Sequence, residues 1–289
     1  MRCCGAIVPF EPLTGPGYDN YPINGECNPC ASGKHCNGLG QCTTSGTLEE
    51  QWRSYARRDL VVLIKWATAF VECKAASWGG GNGAPLGLGD MSEKDGAIPG
   101  TSMNDPGHPA GTHTDGFDMD VAYFTNTGSD NDLKPICEHM SGGQEQYHCT
   151  KPPDILDLWR ETLFLGALLT SDRVRVIGVD GQVGPLIEAA MPTLCANGWL
   201  PQKACNKVGQ FLAYETTDQG MGWFLFHYHH SHVSLSDPSR GAPPAGAGKP
   251  CLTPGCEGLH PGAPPVPAWD RYGRTGVRQV RVRVPAPGL

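Results

Sequence analysis

Gly111-Thr-His113-Thr-Asp-Gly116-Phe-Asp118-Met-Asp120-Val-Ala-Tyr123 is the stretch on which the reading of this chain turns. If a strand begins near Phe117, its period of two puts Phe117, Met119, Val121 and Tyr123 on one face and Asp118, Asp120 and Ala122 on the other. Two carboxylates on adjacent same-face positions repel, so the arrangement asks for a cation or a set of hydrogen-bond donors. Gly116 lets the chain turn and brings His113 back over the start of the strand. His113 and Asp120 can then meet at one point.

The next informative stretch lies far downstream. Phe226-His227-Tyr228-His229-His230-Ser231-His232-Val233 holds four of the 10 histidines of the chain. Trp223 to Leu235 reads as a strand whose tail alternates Ser231, Val233 and Leu235 against His230, His232 and Ser234. His230 and His232 therefore project to one face and can reach one ion or one substrate group. The flanking Trp223, Phe224, Phe226, Val233 and Leu235 imply a partly buried strand, where unpaired histidines are costly. A solvated surface strand is the competing reading of such a tract. Strict alternation puts His227 and His229 on the opposite face, so His227 joins a common site only if the backbone turns or bulges before His230. Two imidazoles, one carboxylate and a water make the open tetrahedral site expected of catalytic zinc. Zinc so bound lowers the pKa of its water and polarises a carbonyl, while a free imidazole nearby moves protons, which together point to amide hydrolysis.

Around these two stretches the chain divides in three. Residues 1–46 carry six cysteines among Gly, Asn and Pro and read as a disulfide-stapled segment. Residues 47–236 read as the catalytic domain. Thr47-x-x-Glu50 has the form of a capping box, and apolar residues at spacings of three and four predict a helix over 48–75. Trp78 to Ala110 is rich in Gly, Asn, Asp and Pro and must be loop, and loops of that length inside a domain are usually functional. A strand is expected over Phe117–Phe124, a helix over Asp154–Leu169, a strand over Arg173–Val179 and a shorter helix over Leu186–Leu194. Residues 237–289 form a Pro/Gly-rich tail with seven Lys or Arg against three acids, a formal +4.

Composition narrows the function classes. The chain has 289 residues, a net charge of -7 and a pI near 5.8, which argue against nucleic acid as a partner. No apolar run is long enough to cross a bilayer. Thirteen cysteines without repeated zinc-finger spacing favour an oxidising compartment. Met1-Arg2-Cys3-Cys4 lacks the apolar stretch of a secretory signal, so a periplasmic, secreted or cell-surface location is expected from the cysteines alone. Cys137 with Cys149 and Cys195 with Cys205 bracket short polar loops and read as local disulfides, and the odd total leaves at least one thiol unpaired or linked between chains. His108, His139 and His148 fall in polar loops and read as exposed. The oligomeric state is not legible.

His-x6-Asp followed far downstream by His-x-His is similar to the lysostaphin, D-alanyl-D-alanine metallopeptidase and hedgehog group of zinc peptidases, matched by His113, Asp120, His230 and His232. Gly89-Asp90-Met91-Ser92, Thr112-His113-x2-Gly116-x-Asp118-x-Asp120, Arg175-Val176-Ile177-Gly178-Val179 and His227-x2-His230-x-His232-Val233 together resemble the penicillin-insensitive murein endopeptidases over roughly residues 85–236. The resemblance implies Zn2+ held by His113, Asp120 and His232, with His230 as acid/base and His227 as a second active-site imidazole. Asp118 would orient a ligand or serve as a plain structural partner. It also implies an α+β fold: a small, mostly antiparallel sheet carrying the zinc site on one face, with helices 48–75 and 154–169 on the other. The expected reaction is hydrolysis of an amide in peptidoglycan peptides by a zinc-activated water. The alternatives are a D,D-carboxypeptidase or dipeptidase of the same group and a non-catalytic, zinc-containing cell-wall-binding module. The N-terminal segment, an insertion around Asn104–His108 and the basic tail depart from that family's pattern.

Overall fold

A computed structural model describes residues 6–10, 14–19, 35–36, 42–43, 55–101, 104, 106–207 and 209–237. The fold is α+β, with helices beside several small sheets. The largest sheet has four strands: β1 (Asp118–Ala122), β2 (Val174–Gly178), β3 (Leu212–Ala213) and β4 (His230–Leu235). Their spatial order is β3-β2-β4-β1, antiparallel except for the β2–β3 pair. The mostly antiparallel sheet predicted from the sequence is therefore present.

Its register follows from the period-two pattern. Val233 pairs with Met119 and Ile177, and all three are fully buried on one face. His232 pairs with Asp120 on one side and Gly178 on the other, and Ser234 pairs with Asp118, so the opposite face is polar. A one-residue slip would exchange the two faces, which is why the apolar set locks the register. The free edge of β1 is covered by the long loop after Trp78: Leu88 bridges Val121, Gly89 N–H donates to Asp120 O, and Asp120 N–H donates to Asp90 O. That loop brings Asp90 beside Asp120.

Three helices complete the core. In α1 (Arg58–Lys74), Leu60, Val61, Ile64, Ala67, Thr68 and Val71 are buried at helical spacing. It starts ten residues later than the predicted 48, and Thr47 and Glu50 lie outside the described residues. Tyr55–Arg57 is instead a strand paired with Ile7–Pro9. Its remaining backbone groups are also taken: Tyr55 exchanges hydrogen bonds with Ser92, and Arg57 N–H donates to Gly116 O. Tertiary pairing overrides helical periodicity here. The second helix, α2 (Leu158–Leu168), begins at its cap Asp157, whose side chain accepts from Arg160 N–H. The predicted start at Asp154 fails because Asp154 and Asp157 donate their N–H groups to Ile136 and Phe124. Nearly every residue of α2 is buried, as suits a helix packed between α1 and α3 (Gly184–Ala196), which has Pro at its N-terminus.

Two of the expected disulfides are present, Cys137–Cys149 with Cα atoms 5.5 Å apart and Cys195–Cys205 with 5.8 Å. Cys73 is also disulfide-bonded. Phe10 and Tyr18, from the cysteine-rich end, are buried in the common core. Most of residues 1–46 and all of the tail beyond 237 lie outside the described residues. Among the described residues no helix is long and apolar enough to cross a membrane.

Candidate metal and catalytic site

The polar face of the sheet converges on Asp120. Its Oδ1 lies 3.3 Å from His113 Nε2, 3.4 Å from His230 Nε2 and 2.9 Å from His232 Nδ1. All four residues are buried. The sequence-derived set His113, Asp120 and His232, together with His230, is therefore brought to one point by two stretches more than a hundred residues apart.

His113 arrives from the turn that Gly116 permits. Gly116 has φ 71°, and a Cβ there would stand 2.8 Å from the backbone nitrogen of Arg57. His113 itself sits at φ 53° with its Nδ1 3.0 Å from Met91 O. A carbonyl only accepts, so Nδ1 is the donor there and Nε2 is the nitrogen turned toward Asp120. That Nε2 is buried and makes no hydrogen bond among the described residues, although Asp120 Oδ1 is 3.3 Å away. Two polar atoms thus face each other in a buried place. With Zn–N bonds of about 2.0–2.1 Å, ligand atoms on one tetrahedral zinc stand about 3.3 Å apart and two ring centroids about 5 Å apart. The His113 and His232 centroids are 4.8 Å apart at 76°.

His232 is held from behind. Its Nε2 lies 3.2 Å from Asp118 Oδ1, which also accepts from Ser234 Oγ, with Arg175 Nη2 3.7 Å away. Asp118 therefore orients an imidazole, as a carboxylate behind a metal-binding histidine does. Burial alone would depress the His232 pKa, but the hydrogen bonds and charges of Asp118 and Asp120 outweigh it and hold the pKa at about 9. Asp120 is opposed by burial in the same way, yet His113, His230 and His232 keep it well below the ordinary carboxylate range.

His227 and His230 have the opposite character. Burial pushes His230 well below the usual imidazole value, and burial with repulsion from His232 takes His227 down to about 4. Both are neutral near pH 7. His227 Nδ1 lies 2.8 Å from Leu225 O, which leaves its Nε2 as the lone-pair nitrogen, and its ring is 5.4 Å from that of His230. The predicted strand over Trp223–Leu235 is realised only as His230–Leu235, and Phe226 at φ 70° supplies the turn that His227 needed. Tyr123 anchors this bend: its hydroxyl donates to His227 O and accepts from Asp180 N–H. His229 lies against His230, with 3.4 Å between its Nε2 and His230 Nδ1. Gly178, opposite His232, leaves room for the Trp223 ring, which a Cβ would meet at 2.1 Å. Trp223 walls the site at 5.4 Å from the His227 ring and 6.1 Å from that of His232.

His108, read from sequence as exposed, is instead part of this cluster. Its Nε2 is 2.9 Å from Asp90 Oδ2 and 3.9 Å from Asp120 Oδ2, and its ring stacks on His113 with centroids 3.9 Å apart at 29°. His108, His113 and Asp120 offer ligand atoms all within 4.8 Å of one another and can hold a metal ion. This set exchanges His232 for His108. Stacked rings 3.9 Å apart do not match the splayed pair that one tetrahedral ion requires, whereas the His113–His232 pair does. The available signal for His108 was its place in a long loop already expected to be functional, five residues before His113. His139 and His148 are also half-buried, His139 paired with Glu145 and His148 against Phe224.

No family model matches the chain, and no curated protein matches it. The functional reading therefore rests on the residues and their geometry.

Proposed function

We propose that this protein is a zinc-dependent hydrolase of amide bonds in peptidoglycan peptides, with His113, Asp120 and His232 as the zinc ligands. The observation that carries the reading is the buried His113 Nε2, which makes no hydrogen bond among the described residues and faces Asp120 Oδ1 across 3.3 Å, a gap that a cation would bridge. A zinc ion held there supplies Lewis acidity, lowering the pKa of a water and polarising a scissile carbonyl. Asp118 fixes the ring of His232, and the Met91 carbonyl fixes the tautomer of His113. His230, buried and neutral, keeps a lone pair for proton transfer, and His227 offers a second neutral imidazole beside it. Trp223 stands beside this group as one wall of the site. The disulfide-distance cysteine pairs are consistent with an oxidising compartment, where a wall substrate is met.

The test uses purified full-length protein and isolated sacculi. Release of soluble muropeptides that stops with a chelator, returns with zinc and is absent in His230→Ala is the expected result. Zinc bound at one equivalent with no release would refute hydrolysis, and the absence of zinc would refute the site. A second reading is favoured by the closeness of His108: if it closed the coordination shell, the ion would be structural and the protein a wall-binding module. His108→Ala would then lower zinc affinity as much as His232→Ala does.

A further inference from the structure

Among the described residues, the exposed large hydrophobic side chains are Met140, Tyr147, Met221 and Phe226. All four fall in two segments, 140–147 and 221–226. The segments are joined by a hydrogen bond from Phe226 N–H to Tyr147 O, and the Tyr147 and Phe226 rings stand 5.2 Å apart at 50°. Tyr147 is 46% and Phe226 53% exposed.

Both residues also have left-handed backbone, φ 58° and 70°. An aromatic residue there costs about 1 kcal/mol or more, which persists only where the surroundings over-determine it. The surroundings do so. Cys137–Cys149 closes the loop, Gln146 N–H donates to His139 O, and Ile136 N–H donates to Tyr228 O, tying the loop to the bend beyond Phe226. Glycine or asparagine at either position would make the same turns without strain and without exposed apolar surface. Folding therefore explains the turns but not the rings.

Their location points to a ligand. Phe226 directly precedes His227, so the pair sits on the segment that leads into the candidate site. Two half-exposed rings with two methionines fall far short of the roughly 1,000 Å² of a stable protein interface. The same disulfide-closed loop carries Gln144, Gln146 and His148. Aromatic faces on a loop that also carries amide and imidazole groups suit a pyranose ring, which presents C–H bonds on its faces and hydroxyls around its rim.

We propose that Tyr147 and Phe226 form a stacking platform for the sugar rings of a glycan strand, seated next to the hydrolytic site. The identity of that strand as the wall glycan rests on the proposed function; the platform itself rests on the exposed rings and the left-handed backbone that carries them. The test titrates the full chain with the soluble tetramer of β-1,4-linked N-acetylglucosamine and follows binding by calorimetry. Saturable binding is expected, weakened about tenfold in Tyr147→Ala and in Phe226→Leu, and changed by less than about twofold in Tyr147→Phe. Thermal unfolding and zinc content of each variant show that the fold is kept. No saturation, or equal binding by Tyr147→Ala, would overturn the proposal, as would Tyr147-dependent binding of phosphatidylglycerol vesicles in place of the sugar. Sugar binding without muropeptide release would remove the hydrolase reading and leave the platform. Muropeptide release without sugar binding would do the reverse.

Discussion

Replacing Glu161 with glutamine should make the protein more stable at alkaline pH, by an amount set by burial. Glu161 lies on α2 with no exposure; its Oε2 accepts from Phe124 N–H at 3.0 Å and its Oε1 has no partner among the described residues. Burial raises its pKa from 4.5 to about 8, with Phe124 pulling it back and Asp157 adding to it. Between those two values the folded chain holds a proton that the unfolded chain has released. Stability from this group is thus fully present below pH 4.5, falls as pH rises, and is gone above about pH 8. At 1.36 kcal/mol per pH unit the span corresponds to about 5 kcal/mol, of which about 3 is already lost at neutral pH. Glutamine keeps one oxygen for Phe124 N–H and never ionises. Chemical denaturation of both proteins followed by tryptophan fluorescence, at about pH 5, 7 and 9, isolates the effect, because groups distant from Glu161 cancel in the difference. The variant should match the parent within about 1 kcal/mol at the lowest pH and exceed it by several kcal/mol at the highest. A difference that stays constant across the range would refute the reasoning.

Three further outcomes follow from the site and its frame. Asp118→Asn removes the carboxylate behind His232 and should weaken zinc binding about 10–100-fold in a competition with a chromophoric chelator; unchanged affinity would remove Asp118 from that role. Gly116→Ala places a Cβ 2.8 Å from Arg57 N at φ 71° and should cost about 1–3 kcal/mol by urea unfolding, with a loss of zinc as His113 is displaced. Paired Cys137→Ser and Cys149→Ser substitutions open a link across 12 residues and should cost about 2–4 kcal/mol, while proteolysis near residue 147 speeds up; equal protease resistance would show that the loop is held by its other contacts.

The legible part of this molecule was the part with a period. Phe117–Tyr123 and Ser231–Leu235 alternate, so the face shared by Asp118 and Asp120 and the face shared by His230 and His232 could be read directly, whereas the meeting of the two strands came only with the resemblance and the structure. The local disulfides were legible from short spacing. What escaped reading depended on contacts between distant residues. The start of α1 moved to Arg58 because Ile7–Pro9, Ser92 and Gly116 claim the backbone of 55–57, and nothing within 48–57 announces those partners. His108 and Asp90 met through the course of a loop without regular structure, which no periodicity describes. The bend that admits His227 is made by Phe226 at positive φ, and phenylalanine gives no sign of that conformation in sequence.

The placement of β4 inside the sheet, between β2 and β1, has a consequence for exchange with solvent. An interior strand cannot fray singly: its amides are released only when a whole cooperative unit opens, so the backbone bearing His230 and His232 belongs to the slow end of hydrogen–deuterium exchange. His108 and His113 sit on irregular chain, where opening costs far less. One half of the cluster thus rides on an interior strand and the other on chain without regular structure, and the two halves should separate in exchange rate.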